Sequence, residues 1–232
     1  MTNVYLFRHG ETDFNLAHII QGQLDTTGLN ATGRAQAAAL AAFAKDKGLK
    51  GDAILSSPQI RAVETAEPLS VLFGVAVETD PRLKEMHFGV CQGVSTKEVR
   101  ATVYDPPLSF AGPDGATILV PNGKILREWH GSNDPRYDNL SHPGGETKTQ
   151  VRIRACEAIF SFLEKSPETN DLWVGSHGAL TRMVAAHFAP PNALDGAIRN
   201  ASILHLSYDP AKPRALQWRG TLHAPEDGLR MV

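Results

Sequence analysis

The stretch Val4-Tyr5-Leu6-Phe7-Arg8-His9-Gly10-Glu11-Thr12 joins a short apolar run to an arginine, a histidine and a glycine. The apolar run reads as a strand, and the polar residues sit at its carboxyl end, where ligands of open α/β folds collect. A guanidinium delivered to that edge can fork two phosphate oxygens, and an imidazole beside it is a potential nucleophile. The outline is that of a phosphate site.

Three further segments extend it. Ser56-Ser57-Pro58-Gln59-Ile60-Arg61 follows the strand-like Ala53-Ile54-Leu55 and brings a second arginine to the opening of a helix. Leu83-Lys84-Glu85-Met86-His87-Phe88-Gly89 sets a carboxylate among apolar residues, and Val174-Gly175-Ser176-His177-Gly178-Ala179 repeats the first arrangement, a strand handing a histidine and a glycine to a helix. In this order the four segments resemble the histidine phosphatase superfamily, also called the phosphoglycerate mutase-like family. The similarity runs from Val4 to about Ser207 and is poorest near 100–142.

Strand-like runs at 4–7, 53–56, 172–175 and 203–208 alternate with helical patterns, the signature of a parallel or mixed sheet covered by helices. The resemblance implies a three-layer α/β/α fold with a central, mostly parallel sheet. Apolar stripes at helical spacing (Ala37, Leu40, Ala44; Ala62, Ala66, Leu69, Phe73; Val151, Ala155, Ile159, Phe162) mark core-facing sides. Asn30 is placed to cap the helix that starts at Ala31. The expectation is one domain over 1–232, with a proline- and glycine-dense insertion at about 103–145 serving as a lid or specificity segment.

A formal charge of −2 and a pI near 6.5 give no global basic field, so a nucleic acid polymer is not the expected ligand. No apolar run approaches the ~20 residues that cross a bilayer. The chain opens on a strand rather than a basic leader, and only Cys91 and Cys156 are present, so a reducing, cytoplasmic setting is expected.

Phosphoryl transfer rests mainly on positioning and on stabilising charge at the transferring oxygens, for which Arg8 and Arg61 are the candidates. Glu85 is the candidate general acid and base, since Leu83, Met86 and Phe88 are placed to desolvate it and raise its pKa. The resemblance implies that His9 is the residue phosphorylated and that His177 contacts the transferring group. It also sets Asn15, Gln21, Gly22 and the Gly178-Ala179 pair where family members contact phosphate or substrate, although Gln21 stands where relatives often carry a small hydroxyl residue. Glu11 is a weaker rival to Glu85, since the resemblance implies a scaffold position there; Glu146 after Pro143-Gly144-Gly145 reads as a first-turn helix residue and Asn200 as part of a turn behind the site.

No HExxH, paired CxxC or GxxxxGK[ST] run appears, and the remaining histidines show no metal-ligand spacing. The resemblance implies chemistry without metal or cofactor on a small phosphorylated metabolite. Bisphosphate-dependent mutases of the family usually carry Asn after the final His-Gly and an arginine pair in the insertion. This chain has Ala179 there, with Lys124, Arg127 and Arg136 scattered, which favours hydrolysis over mutase transfer. Tyr104, Phe110, Trp129 and Tyr137 are candidates for a substrate wall, and Arg127 or Arg136 for a second acidic group. A non-catalytic phospho-ligand-binding member of the fold is the contrasting reading, and a homodimer is the general prior.

Overall fold

The computed structural model describes residues 1–101, 108–111, 117–120, 138–139, 141–142, 144–190, 198–212 and 214–222. The chain runs β1 (Thr2–Arg8), α1 (Asp13–Leu16), α2 (Ala31–Asp46), β2 (Ala53–Ser56), α3 (Ile60–Phe73) and β3 (Val77–Thr79). Two 3-10 turns, Pro81–Leu83 and Gly89–Cys91, lead to α4 (Thr96–Ala101) and to an antiparallel pair, β4 (Leu108–Ala111) and β5 (Thr117–Val120). Then come α5 (Lys148–Lys165), β6 (Asp171–Ser176), α6 (Gly178–Phe188), β7 (Ile203–Tyr208) and β8 (Leu216–Leu222). Tyr104, Lys124, Arg127, Trp129, Arg136, Tyr137 and Pro143 lie outside the described residues, and Phe110 falls in β4.

The main sheet has the order β3-β2-β6-β1-β7-β8. Its first four strands are mutually parallel, while β7 runs antiparallel to β1 and β8 antiparallel to β7. Side chains alternate across the central strands because a strand's period is two. Val4 and Leu6 of β1, with Leu172 and Val174 of β6, face the buried side of α5 and α6. Tyr5, Phe7 and Trp173 join Leu40 of α2 and Leu69 of α3 on the opposite face. Helices therefore cover both faces, giving the three layers expected.

The predicted stripes are buried, except that Phe73 and Phe162 are only partly covered where they pack at the cluster edges. Asn30 caps α2 as expected, its Oδ1 accepting from Gly33 N at 2.8 Å. One boundary differs from expectation. Glu146 is not in the first helical turn, because Thr147 forms a capping box with Gln150 and α5 begins at Lys148. The carboxylate thus lies ahead of the helix, where Arg154 and the His87 N–H hold it.

Register is what assembles the motifs. Arg8 pairs with Ser176 across β1 and β6, and Ser56 pairs with Gly175 across β2 and β6. Three neighbouring parallel strands therefore end level, and Arg8-His9, Ser57 and His177 leave the sheet side by side. The loop after β1 folds tightly against α2, where a Cβ on Gly33 would come within 2.1 Å of the Glu11 carbonyl oxygen.

Candidate active site

A cavity of about 700 Å³ opens at these strand ends. His9, 3% exposed, lines its floor beside Arg8, Arg61, Glu85 and Gly178. The His9 backbone N–H donates to Ser176 O at 2.9 Å, and its Nδ1 lies 2.6 Å from Gly10 O. A carbonyl oxygen only accepts, so Nδ1 carries the proton and Nε2 keeps its lone pair. Burial, with Arg61 and Arg8 adding to it, holds His9 well below the ordinary histidine value of 6.5, against the opposing Gly10 hydrogen bond. The ring is neutral at neutral pH, the form that attacks phosphorus.

His177 faces it with ring centroids 5.3 Å apart and is fully buried at the N-cap of α6. Burial first, then Arg61 and His9, pushes its pKa well down too. Both of its ring nitrogens, with Arg8 Nε and Arg61 Nε, are buried and without a hydrogen-bond partner. Buried polar nitrogens left unpaired are costly, and these belong to residues that pack beside His9 or act on it electrostatically.

The arginines are anchored by their other nitrogens. Arg8 Nη1 donates to Ile198 O at 2.5 Å, while Arg61 Nη2 donates to Gly22 O at 2.7 Å and Nη1 to Leu24 O at 3.1 Å. Burial draws Arg61 down to about 10 and lowers Arg8 also, with Glu85 opposing both shifts. Arg61 therefore remains a cation at neutral pH.

Glu85 crosses to the start of α6. Its Oε1 accepts from Met86 N at 2.8 Å and Leu180 N at 3.0 Å, and Oε2 accepts from Ala179 N at 3.0 Å. Leu83 and Met86 are buried beside it as expected, but the carboxyl group itself rests on backbone N–H groups at a helix N-terminus. Ala179 contributes its amide to Glu85, and Gly178 keeps the approach to Arg8 open, since a Cβ there would lie 3.3 Å from Nε.

The remaining predicted residues divide. Asn15 lines the cavity with Oδ1 engaged by Thr12 N and Asn200 Nδ2. Gln21 is bound up, accepting from Thr12 Oγ1 at 3.1 Å and donating to Thr27 Oγ1 at 3.2 Å, so it forms wall. Gly22 has φ +54°, and a Cβ there would meet Gln92 Oε1 at 2.3 Å, while its carbonyl is the anchor for Arg61. Glu11 is scaffold as expected, holding Asn30 Nδ2 at 2.9 Å. Asn200 donates to His9 O at 3.0 Å, supporting the nucleophile's backbone from behind.

Sequence reasoning missed two supports. Gln59 joins the motifs, donating through Nε2 to Gly22 O and accepting from Glu85 N at 2.8 Å. Arg154 of α5 forks onto Glu146 at 2.7 and 2.8 Å and donates to the carbonyls of Arg82, Lys84 and Glu85. Glu146 in turn accepts from His87 N at 2.8 Å, so the segment carrying Glu85 is gripped on both sides. No spacing rule finds Arg154, because most of its partners are backbone oxygens distant in sequence. Among the described residues no group of His, Cys, Asp or Glu comes together to hold a metal ion, and no helix is long and apolar enough to cross a membrane.

The chain is 41% identical over 196 residues to a glucosyl-3-phosphoglycerate phosphatase of Mycobacterium tuberculosis, covering 80% of this chain and 86% of that protein. It is 32% identical over 221 residues to a probable phosphoglycerate mutase, GpmB, of Escherichia fergusonii, covering 94% and 90%. A solved mycobacterial glucosyl-3-phosphoglycerate phosphatase superposes with a TM-score of 0.72 at 27% identity, over 94% of this chain and 96% of that one. The family model for the histidine phosphatase superfamily, branch 1, matches residues 4–123 and 123–221, and the chain belongs to that superfamily.

Proposed function

We propose that the chain is a phosphatase that hydrolyses a small phosphomonoester through a phosphohistidine on His9. The observation that carries this reading is a neutral imidazole with Nδ1 pinned to Gly10 O, set among buried unpaired nitrogens of Arg8, Arg61 and His177. In the first step the Nε2 lone pair bonds to phosphorus in line with the departing oxygen, and the P–O bond to the alcohol breaks. The alkoxide takes a proton from the protonated carboxyl of Glu85. In the second step water gives a proton to the Glu85 carboxylate and its oxygen displaces His9, releasing phosphate. The donors around the cavity meet the charge that develops on the phosphoryl oxygens.

The phosphatase relative, named for glucosyl-3-phosphoglycerate, supports a small acidic metabolite as substrate. Return of the phosphoryl group to substrate, as in a mutase, is the second reading, favoured by the relative named as a probable phosphoglycerate mutase. Ala179, standing where bisphosphate-dependent mutases usually carry Asn, weighs for hydrolysis. A panel of phosphate monoesters that includes 3-phosphoglycerate decides between the two. Free phosphate, formed equally well in EDTA, is the expected product, whereas isomerised phosphoglycerate without free phosphate would make the protein a mutase. Loss of activity in EDTA with rescue by a divalent ion would contradict the metal-free mechanism.

A further inference from the structure

Gln59 stands at the entrance to α3, the position where a short polar side chain usually caps a helix. Its own side chain makes no such bond, and the first turn is served instead by Asp25, whose Oδ1 accepts from Ile60 N at 2.9 Å. Gln59 is fully buried. Burying an amide is unfavourable unless both its ends find partners, and here each end serves a different motif. Nε2 donates to Gly22 O at 3.2 Å, the carbonyl that also anchors Arg61 Nη2 at 2.7 Å, and Oε1 accepts from Glu85 N at 2.8 Å.

The Glu85 peptide is gripped at both of its polar atoms, but not equally. Its carbonyl accepts from Gln23 Nε2 and from Arg154 Nη2, each at 3.0 Å, so either bond backs up the other. Its N–H is held through one bond, to Gln59, among the described residues. The carboxyl group, by contrast, is fastened to the start of α6 through Ala179 N and Leu180 N. Glu85 thus spans two helices, its backbone set by α3 and its carboxyl by α6. Arg61 lies two residues beyond Gln59 on α3, so one glycine carbonyl ties together the guanidinium and the segment that carries the carboxyl.

We infer that Gln59 is a positioning residue that fixes the Glu85 carboxyl relative to the Arg61 guanidinium, and so governs proton delivery to a poor leaving group. The inference rests on the acid–base reading of Glu85. A proton crosses only within hydrogen-bond reach of the departing oxygen, whereas attack by His9 on phosphorus asks nothing of Glu85. Loosening its backbone while the bonds to α6 persist shifts the carboxyl rather than removing it.

The test compares glycerol 3-phosphate, whose alkoxide must be protonated, with p-nitrophenyl phosphate, whose phenolate leaves unaided. Phosphate release is followed for the unsubstituted chain, Gln59→Met, Glu85→Gln and the double variant. Methionine keeps the length and volume of glutamine but makes neither bond. Gln59→Met should lower the alkyl-to-aryl ratio of kcat by about tenfold or more. Mere loss of folded protein would scale both rates alike and leave the ratio where it was. In the Glu85→Gln background the same substitution should change the alkyl rate by less than about threefold, because a residue that acts through Glu85 then has nothing left to position. Losses that multiply in the double variant would overturn the inference. An unchanged ratio in Gln59→Met, with a lowered one in Glu85→Gln, would overturn the Gln59 role alone. An unchanged ratio in Glu85→Gln would refute the acid–base reading and take this role with it. Native-state hydrogen exchange at the Glu85 amide reads the grip without turnover, and it should be faster in Gln59→Met. Exchange no faster than in the unsubstituted chain would contradict the grip. Should Gln59→Met not fold, Gln59→Asn, which draws the amide back by one methylene, carries the same expectations.

Discussion

The two ends of the cavity are built to different standards. At the inner end the reacting side chains are mostly fixed through more than one bond. Arg61 is tied to two carbonyls, Glu85 to three backbone N–H groups, and His9 through both its backbone and Nδ1. At the outer end Arg152 rests on a single 3.6 Å ion pair with partners more than a quarter exposed. An in-line attack tolerates little misplacement, whereas a cavity wall away from the attacking atom tolerates more. Multiply bonded side chains are concentrated around His9, and the looser contact lies away from it.

If that contrast holds, substitutions should lose activity in proportion to their closeness to the inner end. His9→Ala removes the nucleophile and should cost on the order of 10⁴-fold or more in kcat, measured as phosphate release. Glu85→Gln should cost roughly 10²–10⁴-fold on alkyl phosphates and much less on p-nitrophenyl phosphate, whose leaving group needs no proton. Equal losses on both substrates would remove Glu85 from acid–base chemistry. Arg154→Met touches no reacting atom but releases the segment that carries Glu85, so kcat should fall by up to about 10²-fold with KM little changed. Arg154→Lys would keep the charge but lose the fork, and partial recovery is expected. A parallel loss in KM, or no loss, would show that the grip on Glu85 is dispensable.

The smallest predicted effect is thermodynamic. His9 and His177 have pKa values depressed by burial in the folded state, so below 6.5 the unfolded chain binds protons that the native chain does not. Stability should therefore be fully present above 6.5 and decline as pH falls below it, by up to about 1.4 kcal/mol per pH unit for each histidine. Denaturant unfolding across that range measures the slope, and His177→Gln should flatten it. For the same reason the acid limb of kcat/KM should fall well below pH 6.5.

Much of the inner end is legible in the sequence because strand ends and glycine turns are local signals. Arg8-His9, Arg61 and His177 stand at strand ends and helix starts that the sequence punctuates, and strand register brings them together, with Glu85 joined to them at the start of α6. What escapes is what depends on pairing. The Gln59 bridge and the Arg154 grip reach backbone atoms far away in sequence, and the Gln21 amide is held by two threonines nearby in sequence, none of which leaves a mark in composition. β8 escapes the strand pattern of the sequence for a related reason. It is an edge strand, Leu216 buried and Gln217 and Trp218 only partly so, interrupted by Gly220 at φ +148° and paired to β7 across a register shift. Glu146 reads as a helical residue until the Thr147 capping box sets the boundary beyond it.

The central claim is covalent, and the most direct measurement is a rapid quench of the protein with a phosphomonoester, followed by mass spectrometry of the intact chain and its peptides. The account predicts an acid-labile, base-stable phosphoryl group on His9, absent from His9→Ala and formed no more slowly than phosphate is released. Turnover with no such adduct, or an adduct on another residue, would contradict it.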